Sequence, residues 1–174
     1  MLMTTKIKLL PTKEQFLILK NTMKQFNLAC NRISEIAFEN QCFSKVKLQK
    51  ICYYDIREDF TNLSSQMVIR AIAKVCDAYK INKKKKCRFR FDGAIVYDQR
   101  IMSLKGLESV TLNTINGRIN VPIVISDYHN SVMQDRRICG QADLVLIDDM
   151  FYLLLVIDIP AETKLMQLIH WVSI

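Results

Sequence analysis

The chain has 174 residues, of which 50% are hydrophobic and 24% charged, and its mean hydropathy is +0.07. This composition excludes an intrinsically disordered chain, and the four Gly and three Pro exclude collagen-like and linker-like sequences. No uncharged apolar run reaches the roughly 18 residues of a transmembrane helix. Residues 1–10 also lack the apolar core of a signal peptide. We therefore predict a cytoplasmic protein of one domain or two small ones, with no membrane partner.

The six cysteines, at positions 30, 42, 52, 76, 87 and 139, are not spaced as metal ligands, and only two histidines accompany them. We predict six free thiols in a reducing compartment, acting as small hydrophobes. The sequence contains no glycine-rich phosphate loop, no H-E-x-x-H motif and no nucleophile elbow. The residues by themselves indicate no catalytic site, no metal site and no small-molecule substrate.

The first half of the chain is predicted to be helical, because the first 92 residues contain no Gly and one Pro. Residues 4–10 alternate as a short strand. Thr12 and Gln15 then fit a capping box at the beginning of a helix of about 25 residues, with an apolar stripe along one face. Further helices are predicted over residues 45–60, with Ile51 facing inward, and over 66–79. Three amphipathic helices with short loops can form a bundle.

Positive charge is concentrated just after these helices. The net charge is +8, and residues 80–90 (KINKKKKCRFR) carry seven positive charges and no acid, so the rest of the chain is close to neutral. Phe89 and Phe91 interleave with the cations, and Tyr97 follows. Cations beside aromatic rings are typical of nucleic-acid contacts, although a solvated linker is the alternative. The cationic candidates are Lys80, Lys83, Lys84, Lys85, Lys86, Arg88 and Arg90.

The second half contains all four glycines, and its apolar residues alternate as in strands. Strands are predicted over residues 94–97, 100–104, 108–112, 118–125, 141–147 and 151–159. The Asn-Gly pair at 116–117 is the strongest hairpin signal, and Pro122 indicates an edge strand or a bulge. A second hairpin is predicted to turn at the two Asp residues 148–149, after a polar crossover over 126–139. Five or six antiparallel strands indicate a small barrel or sandwich.

These segments together resemble the N-terminal region of the TnpB (OrfB) proteins of insertion-sequence transposons. The similarity is carried, in order over about residues 3–160, by TTKIKLLPTKEQFLILKNTMKQFNLACNRISEIAFEN, KLQKICYYDIREDF, LSSQMVIRAIAKVCDAYK, FRFDGAIVYDQRIMSLKG, GRINVP, CGQADLV and FYLLLVIDIP. Members of this family are RNA-guided DNA endonucleases, known as transposases, and resemble compact ancestors of type V CRISPR effectors.

The resemblance implies an α+β fold: an antiparallel wedge-type (OB-like) β-barrel with a three-helix recognition bundle inserted after the first strand. The implied parts are a first barrel strand (1–10), the bundle (11–82), a basic linker (83–91), the rest of the barrel (92–160) and a divergent or frameshifted tail (161–174). Full-length relatives continue into a RuvC-like nuclease and a zinc ribbon. We therefore expect Mg²⁺ and Zn²⁺ only in those missing regions, no cofactor and no endonuclease activity in this chain, and an exposed apolar patch around Leu153 and Leu155.

For function, the resemblance implies binding of a guide-type RNA and of a short double-stranded DNA motif beside the target. Serine and glutamine suit base edges, whereas lysine and arginine suit phosphates. Beyond the cationic segment, the candidate contacts are Ser64, Ser65, Gln66, Arg70, Tyr97, Gln99, Arg100, Ser103 and Lys105. The alternative is a stand-alone regulator with a helix-turn-helix that directs Arg57 and Arg70 towards DNA. A third interpretation is a transposon remnant without function.

Overall fold

The computed structural model of the chain describes residues 2–133 and 137–158. Helices and strands occur together, so the predicted α+β class is confirmed, and the predicted tail over 161–174 lies outside the described residues. In chain order the elements are β1 (Leu2–Leu9), α1 (Lys13–Glu39), α2 (Lys45–Asp59), α3 (Ser65–Ile81), β2 (Ile95–Asp98), β3 (Met102–Lys105), β4 (Ser109–Thr114), β5 (Gly117–Val124), α4 (Asp127–Met133), β6 (Arg137–Ile147) and β7 (Met150–Asp158).

The strands form one antiparallel sheet that closes almost completely into a barrel. Its order is β2-β6-β7-β1-β5-β4-β3, and its seven strands correspond to the strand predicted over 4–10 and the six predicted in the second half. β1 lies at the centre and pairs with β7 along most of its length, and with β5 at Lys8 and Leu9. The two edge strands, β2 and β3, are joined by only three residues, 99–101, so the chain itself bridges the gap in the barrel.

The two longest helices begin at the predicted caps. At α1 the Gln15 backbone N–H donates to Thr12 Oγ1 (3.2 Å), while the Thr12 N–H donates to Gln15 Oε1 (3.1 Å), which confirms the capping box. At α3 the Ser64 hydroxyl oxygen accepts from the Met67 N–H (3.3 Å). Both side chains satisfy backbone donors that the first turn of a helix leaves without partners.

The second helix, α2, buries fewer of its residues than predicted. It buries only Leu48, Cys52 and Ile56, one residue per turn, and Ile51 is 44% exposed, so its predicted inward orientation is wrong. Three buried positions spaced by four cover a narrow stripe. Tyr53 is half-buried against the core, and the side of α2 opposite the buried stripe faces solvent.

The helices and the barrel share one hydrophobic core. The ring of Phe16 in α1 contacts Phe151 in β7 edge to face, with 5.2 Å between the centroids. Polar contacts reinforce the seam: Gln15 Nε2 donates to the Asn120 carbonyl (2.8 Å) and the Ile115 N–H donates to Thr22 Oγ1 (3.2 Å). The change from helix to strand between residues 82 and 94 therefore does not divide the core.

Both predicted hairpins exist, with one shift in the turn. The residues at 148–149 have φ values of 50° and 57°, as the two central residues of a type I′ turn require. In the other hairpin Thr114 pairs with Gly117, so the loop is Ile115–Asn116, and Gly117 with φ +86 begins β5. Pro122 was predicted at an edge or bulge, but it lies on β5, between β1 and β4, opposite Ser109.

Two further features differ from the predictions. The segment 126–139, predicted as a polar crossover, contains α4 and the beginning of β6, which were not predicted. A helix of seven residues is too short to display a helical period in its sequence. Leu153 and Leu155 are fully buried rather than exposed, because alternate side chains of β7 point into the core. Half-buried residues occupy the positions between them.

Candidate nucleic-acid interface

The basic segment consists of two parts with different surroundings. Residues 82–86, here named the lysine turn, carry Lys83, Lys84, Lys85 and Lys86, and all four side chains are exposed. The local contact that shapes this turn is the hydrogen bond from the Lys84 N–H to Asn82 Oδ1 (2.9 Å). Within the part of the chain that the structure describes, no ion pair involves these four lysines. Their charge is therefore available to an external anion.

Residues 87–93, here named the strap, lie along α1 and are held by its side chains, and residues 90–93 close in a turn through the Gly93 N–H and the Arg90 carbonyl (3.0 Å). Asn31 makes a pair of bonds with Phe89: Oδ1 accepts from the Phe89 N–H (2.7 Å) and Nδ2 donates to the Phe89 carbonyl (3.0 Å). Ser34 Oγ donates to the Cys87 carbonyl (2.7 Å), and Asn27 Nδ2 donates to the Gly93 carbonyl (2.7 Å). Positions 27, 31 and 34 share one helix face, so the helix replaces the neighbouring strand that an extended backbone normally needs.

Side chains of the strap alternate in direction. Cys87 and Phe89 are half-buried against the core, whereas Arg88 and Arg90 are exposed. Phe89 lies beneath Lys74, whose Nζ is 5.3 Å from the ring centroid. The predicted interleaving of cations and aromatics is thus a period-two pattern with the aromatic turned inward. Phe91, which is 56% exposed, keeps an accessible ring.

Lys74 holds the C-terminal end of the strap through hydrogen bonds, a role that no local sequence pattern indicates. Its Nζ donates to Asn27 Oδ1 (2.9 Å) and to the Ala94 carbonyl (2.6 Å). Burial lowers the pKa of Lys74, while neighbouring Cys30 and Asp143 oppose that shift. A half-buried ammonium joins α1, α3 and the end of the strap.

Arg70, one turn before Lys74 on α3, lies beside Asp143 of β6 and not on a free face. Burial raises the pKa of Asp143, and the positive charges of Lys74 and Arg70 oppose this effect. Arg70 Nε and Asp143 Oδ1 are both buried and, within the described residues, have no hydrogen-bond partner. This position holds part of the Arg70 guanidinium inside the protein, and the contact of Arg70 with nucleic acid stays a prediction.

Two of the predicted cations are already paired. Lys80 Nζ lies 2.6 Å from Asp77 Oδ1, and Arg90 forms two hydrogen bonds with the Asp92 carboxylate (3.0 and 2.7 Å). Both pairs are exposed, and such pairs are weak enough to exchange for a phosphate. The strongest candidates for phosphate contacts are therefore the lysine turn and Arg88.

Grooves flank the strap on two sides. One of about 480 Å³ is lined by Ala78, Asn82, Lys85, Lys86, Cys87, Arg88 and Phe89. Another of about 500 Å³ is lined by Asn31, Arg88, Phe89, Arg90, Phe91 and Asp92. Each combines cationic walls with an apolar floor. Such a groove can neutralise a phosphate and receive a base at the same time.

A second polar cluster forms where α3 begins, near the gap in the barrel. Gln66 Nε2 donates to Asp98 Oδ2 (2.5 Å), and Gln66 Oε1 accepts from Arg100 Nη1 (3.4 Å). The Arg100 N–H donates to Asp98 Oδ1 (2.9 Å), and Asn113 Nδ2 donates to Ser64 Oγ (2.8 Å). The structure thus brings together three predicted contacts, Ser64, Gln66 and Arg100. Sequence reasoning missed Asp98 and Asn113 as their partners.

The remaining predicted contacts divide between buried and exposed positions. Tyr97 is fully buried, its hydroxyl donates to the Asn113 carbonyl (2.8 Å), and burial raises its pKa, so its predicted role in stacking on bases does not fit. Gln99 is exposed and packs against Gly140 of β6. The other three are exposed: Ser65 at the beginning of α3, and Ser103 and Lys105 on edge strand β3.

The described residues contain no group of three or more His, Cys, Asp and Glu side chains that could hold a metal ion. The five cysteines whose side chains the structure describes are free thiols. None of the described helices has the length and apolar character needed to cross a bilayer. No protein-family model matches the chain, and no curated protein matches it.

Proposed function

We propose that the chain binds nucleic acid, with the lysine turn and Arg88 as its main phosphate contacts. The observation that carries this proposal is the concentration of five exposed cations, outside any ion pair of the described residues, on a segment that the strap anchors to α1. Because the strap fixes one end of the lysine turn, the turn loses less conformational entropy on binding than a free tail would. Grooves with apolar floors beside it suit bases as well as phosphates.

In this proposal the cluster at the beginning of α3 contacts double-stranded DNA. Arg100 uses one guanidinium nitrogen towards Gln66, which leaves other donors of an exposed side chain for a phosphate or a guanine edge. Asp98 holds both Gln66 and the Arg100 backbone and so orients the pair. Ser65, exposed at the first turn of α3, lies where a helix N-terminus favours a phosphate.

The resemblance supports a more specific proposal, that the chain is the nucleic-acid-binding part of a TnpB-like protein. The barrel would then be the OB-like wedge, and α1–α3, which follow β1 in the chain, would be the inserted recognition bundle. The partners would be a guide-type RNA and double-stranded DNA, and the chain would bind without cutting.

The helix-turn-helix alternative is not favoured. Arg57 Nη1 donates to the Leu63 carbonyl and so ties α2 to the loop before α3. Arg70 is half-buried beside Asp143. A recognition helix has to present such side chains to a DNA groove, whereas Arg57 is bound to a backbone carbonyl and Arg70 Nε is buried.

The salt dependence of binding tests the proposal. Replacing Lys83, Lys84, Lys85 and Lys86 with Gln should lower the slope of log Kd against log salt by about 2 to 4, because each neutralised phosphate releases counterions. The matched control replaces four exposed lysines elsewhere, Lys6, Lys13, Lys20 and Lys24, with Gln. An equal fall of the slope in both variants would show that binding follows net charge and not the lysine turn.

Cleavage is tested separately with plasmid DNA, Mg²⁺ or Mn²⁺, and the chain with and without a candidate guide RNA. We expect retention of the plasmid in a gel-shift assay and no nicking. In-line hydrolysis of a phosphodiester requires metal ions held by converging acids. Nicking that a single Asp→Ala substitution abolishes would contradict the proposal.

A further inference from the structure

The outer face of α2 has features that the proposed interface does not use. Its first ten residues, 45–54, contain three lysines and no acid. Val46, Lys50 and Tyr54 follow one another at intervals of four, which places them on one side of the helix. Val46 is 66% exposed and Tyr54 is 80% exposed. Because α2 buries only one residue per turn on its inner side, this face makes no contribution to the core.

This face forms one wall of a groove between α2 and α3. The groove measures about 480 Å³ and is lined by Val46, Gln49, Lys50, Tyr53, Tyr54 and Ile69. The rings of Tyr53 and Tyr54 meet nearly at right angles (81°), with 5.3 Å between the centroids. This edge contact supports the Tyr54 ring while most of its surface remains exposed. None of these residues lines the grooves beside the strap.

Charge along α2 has a direction. Lys45, Lys47 and Lys50 lie in the N-terminal part of α2, and the acids Asp55, Glu58 and Asp59 lie beyond Tyr54. The helix dipole adds positive potential at the same N-terminal end. A polyanion is therefore attracted between the beginning of α2 and Tyr54 and repelled beyond it.

We propose that Val46, Lys50 and Tyr54, together named the α2 platform, bind an unpaired stretch of single-stranded nucleic acid. A base stacks on Tyr54 and the neighbouring phosphate is held by Lys50. The strand runs from Tyr54 towards the N-terminus of α2, where Lys47 adds a second cation. A duplex is excluded because its bases are stacked on each other and offer no free face to a tyrosine. The inference extends the proposed function, because it assigns a separate site with a separate ligand form.

The test measures fluorescence anisotropy of a labelled oligouridylate of about 12 nucleotides, a length within the roughly 4 to 16 nucleotides of such sites. Tyr54→Ala should raise Kd by about 5- to 100-fold, since stacking on one aromatic ring contributes that much. Tyr54→Phe keeps the ring and should restore Kd to within about threefold of the wild-type value. The matched control is Tyr128→Ala, which removes a tyrosine that is 60% exposed on α4.

The variants separate this inference from the proposed function. Thermal unfolding should give the same midpoint for Tyr54→Ala and the wild type, which shows that the fold is intact. Unchanged oligouridylate binding by Tyr54→Ala, with binding lost in the Gln variant of the lysine turn, would overturn the α2 platform alone. Loss of oligouridylate binding in Tyr54→Ala only would support the platform, and the lysine turn would then be tested by the salt dependence of duplex binding. Equal losses in Tyr54→Ala and Tyr128→Ala would overturn the platform. No binding of single-stranded or duplex probes by the wild type would overturn both the platform and the proposed function.

Discussion

The lysine turn and the strap are neighbours in the chain and similar in charge, yet the fold treats them differently. The lysine turn projects four cations into solvent and depends on one local hydrogen bond. The strap is bound along α1 by Asn27, Asn31 and Ser34, with Phe89 turned inward. The basic segment thus has two parts with separate roles: the lysine turn provides charge, and the strap fixes where that charge is presented.

The largest effect is expected from removing an anchor of the strap. Asn27→Ala leaves the Gly93 carbonyl without its side-chain donor and removes one of the two acceptors of the Lys74 ammonium, which keeps only the Ala94 carbonyl. The free energy of unfolding should fall by about 3 kcal/mol, because buried polar groups without partners are costly. Urea denaturation measures it. Asn21→Ala, an exposed change on the same helix, should cost less than about 0.5 kcal/mol; similar losses in both variants would contradict the anchoring role.

Alkaline pH should lower the free energy of unfolding through the thiol of Cys30. Cys30 lies on α1, three residues after Asn27, and its Sγ is 4.0 Å from the Ala71 carbonyl oxygen of α3. Burial raises the pKa of this thiol from 9.0 to about 12. Above pH 9 the unfolded thiol loses its proton while the folded one keeps it, so stability falls as pH rises. At pH 11 the contribution of Cys30 to the free energy of unfolding is about 3 kcal/mol lower than at pH 8.

Urea denaturation between pH 8 and pH 11 measures this loss. Cys30→Ala removes the titrating group, so its free energy of unfolding should decrease less steeply over the same range. A parallel decrease in the variant and the wild type would show that Cys30 does not contribute to the alkaline loss.

The two phenylalanines of the strap, Phe89 and Phe91, should also differ in how much each contributes to the free energy of unfolding. Phe89→Ala removes a ring that packs on the core beneath Lys74, and should cost about 2 kcal/mol in the free energy of unfolding. Phe91→Ala removes a ring that is 56% exposed, and should cost less than about 0.5 kcal/mol. The reverse order would mean that the strap is held in the opposite orientation.

The smallest effect on stability is expected in the lysine turn itself. Changing its four lysines to Gln should alter the free energy of unfolding by less than about 0.5 kcal/mol, although it changes binding. Limited digestion with trypsin compares the lysine turn with the strap directly, because the enzyme cleaves after Lys and after Arg. The first cut should fall after Lys83, Lys84, Lys85 or Lys86, since proteases need backbone without stable contacts. A first cut after Arg88 or Arg90 would show that the strap detaches as readily as the turn.

Some features of the fold were predictable because their causes lie within a few residues. Thr12 and Gln15 cap each other across three positions, and Ser64 caps α3 in the same way. The turn at 148–149 joins strands of clear alternation. Such features depend on local hydrogen bonds and on the period of apolar residues, and both can be read directly from the chain.

Of the candidate site, the charge was predictable and its surroundings were not. The sequence shows seven cations in residues 80–90, but not that Asp77 and Asp92 pair with two of them. It shows aromatics beside those cations, but not that Tyr97 donates to the Asn113 carbonyl from a fully buried position. Phe89 and Phe91 look equivalent in sequence, and only the packing against the core distinguishes them.

Propensity, periodicity and charge are local properties, so the three long helices, the strands and the place where positive charge collects could be read from the chain. Only the tertiary structure decided which basic residues are free, since Asn31 lies 58 positions from Phe89 and Lys74 lies 47 positions from Asn27. Hydrogen bonds between residues so far apart in the chain depend on how the helices pack on the barrel. They satisfy backbone groups that have no neighbouring strand, and no local sequence pattern indicates which residues form them.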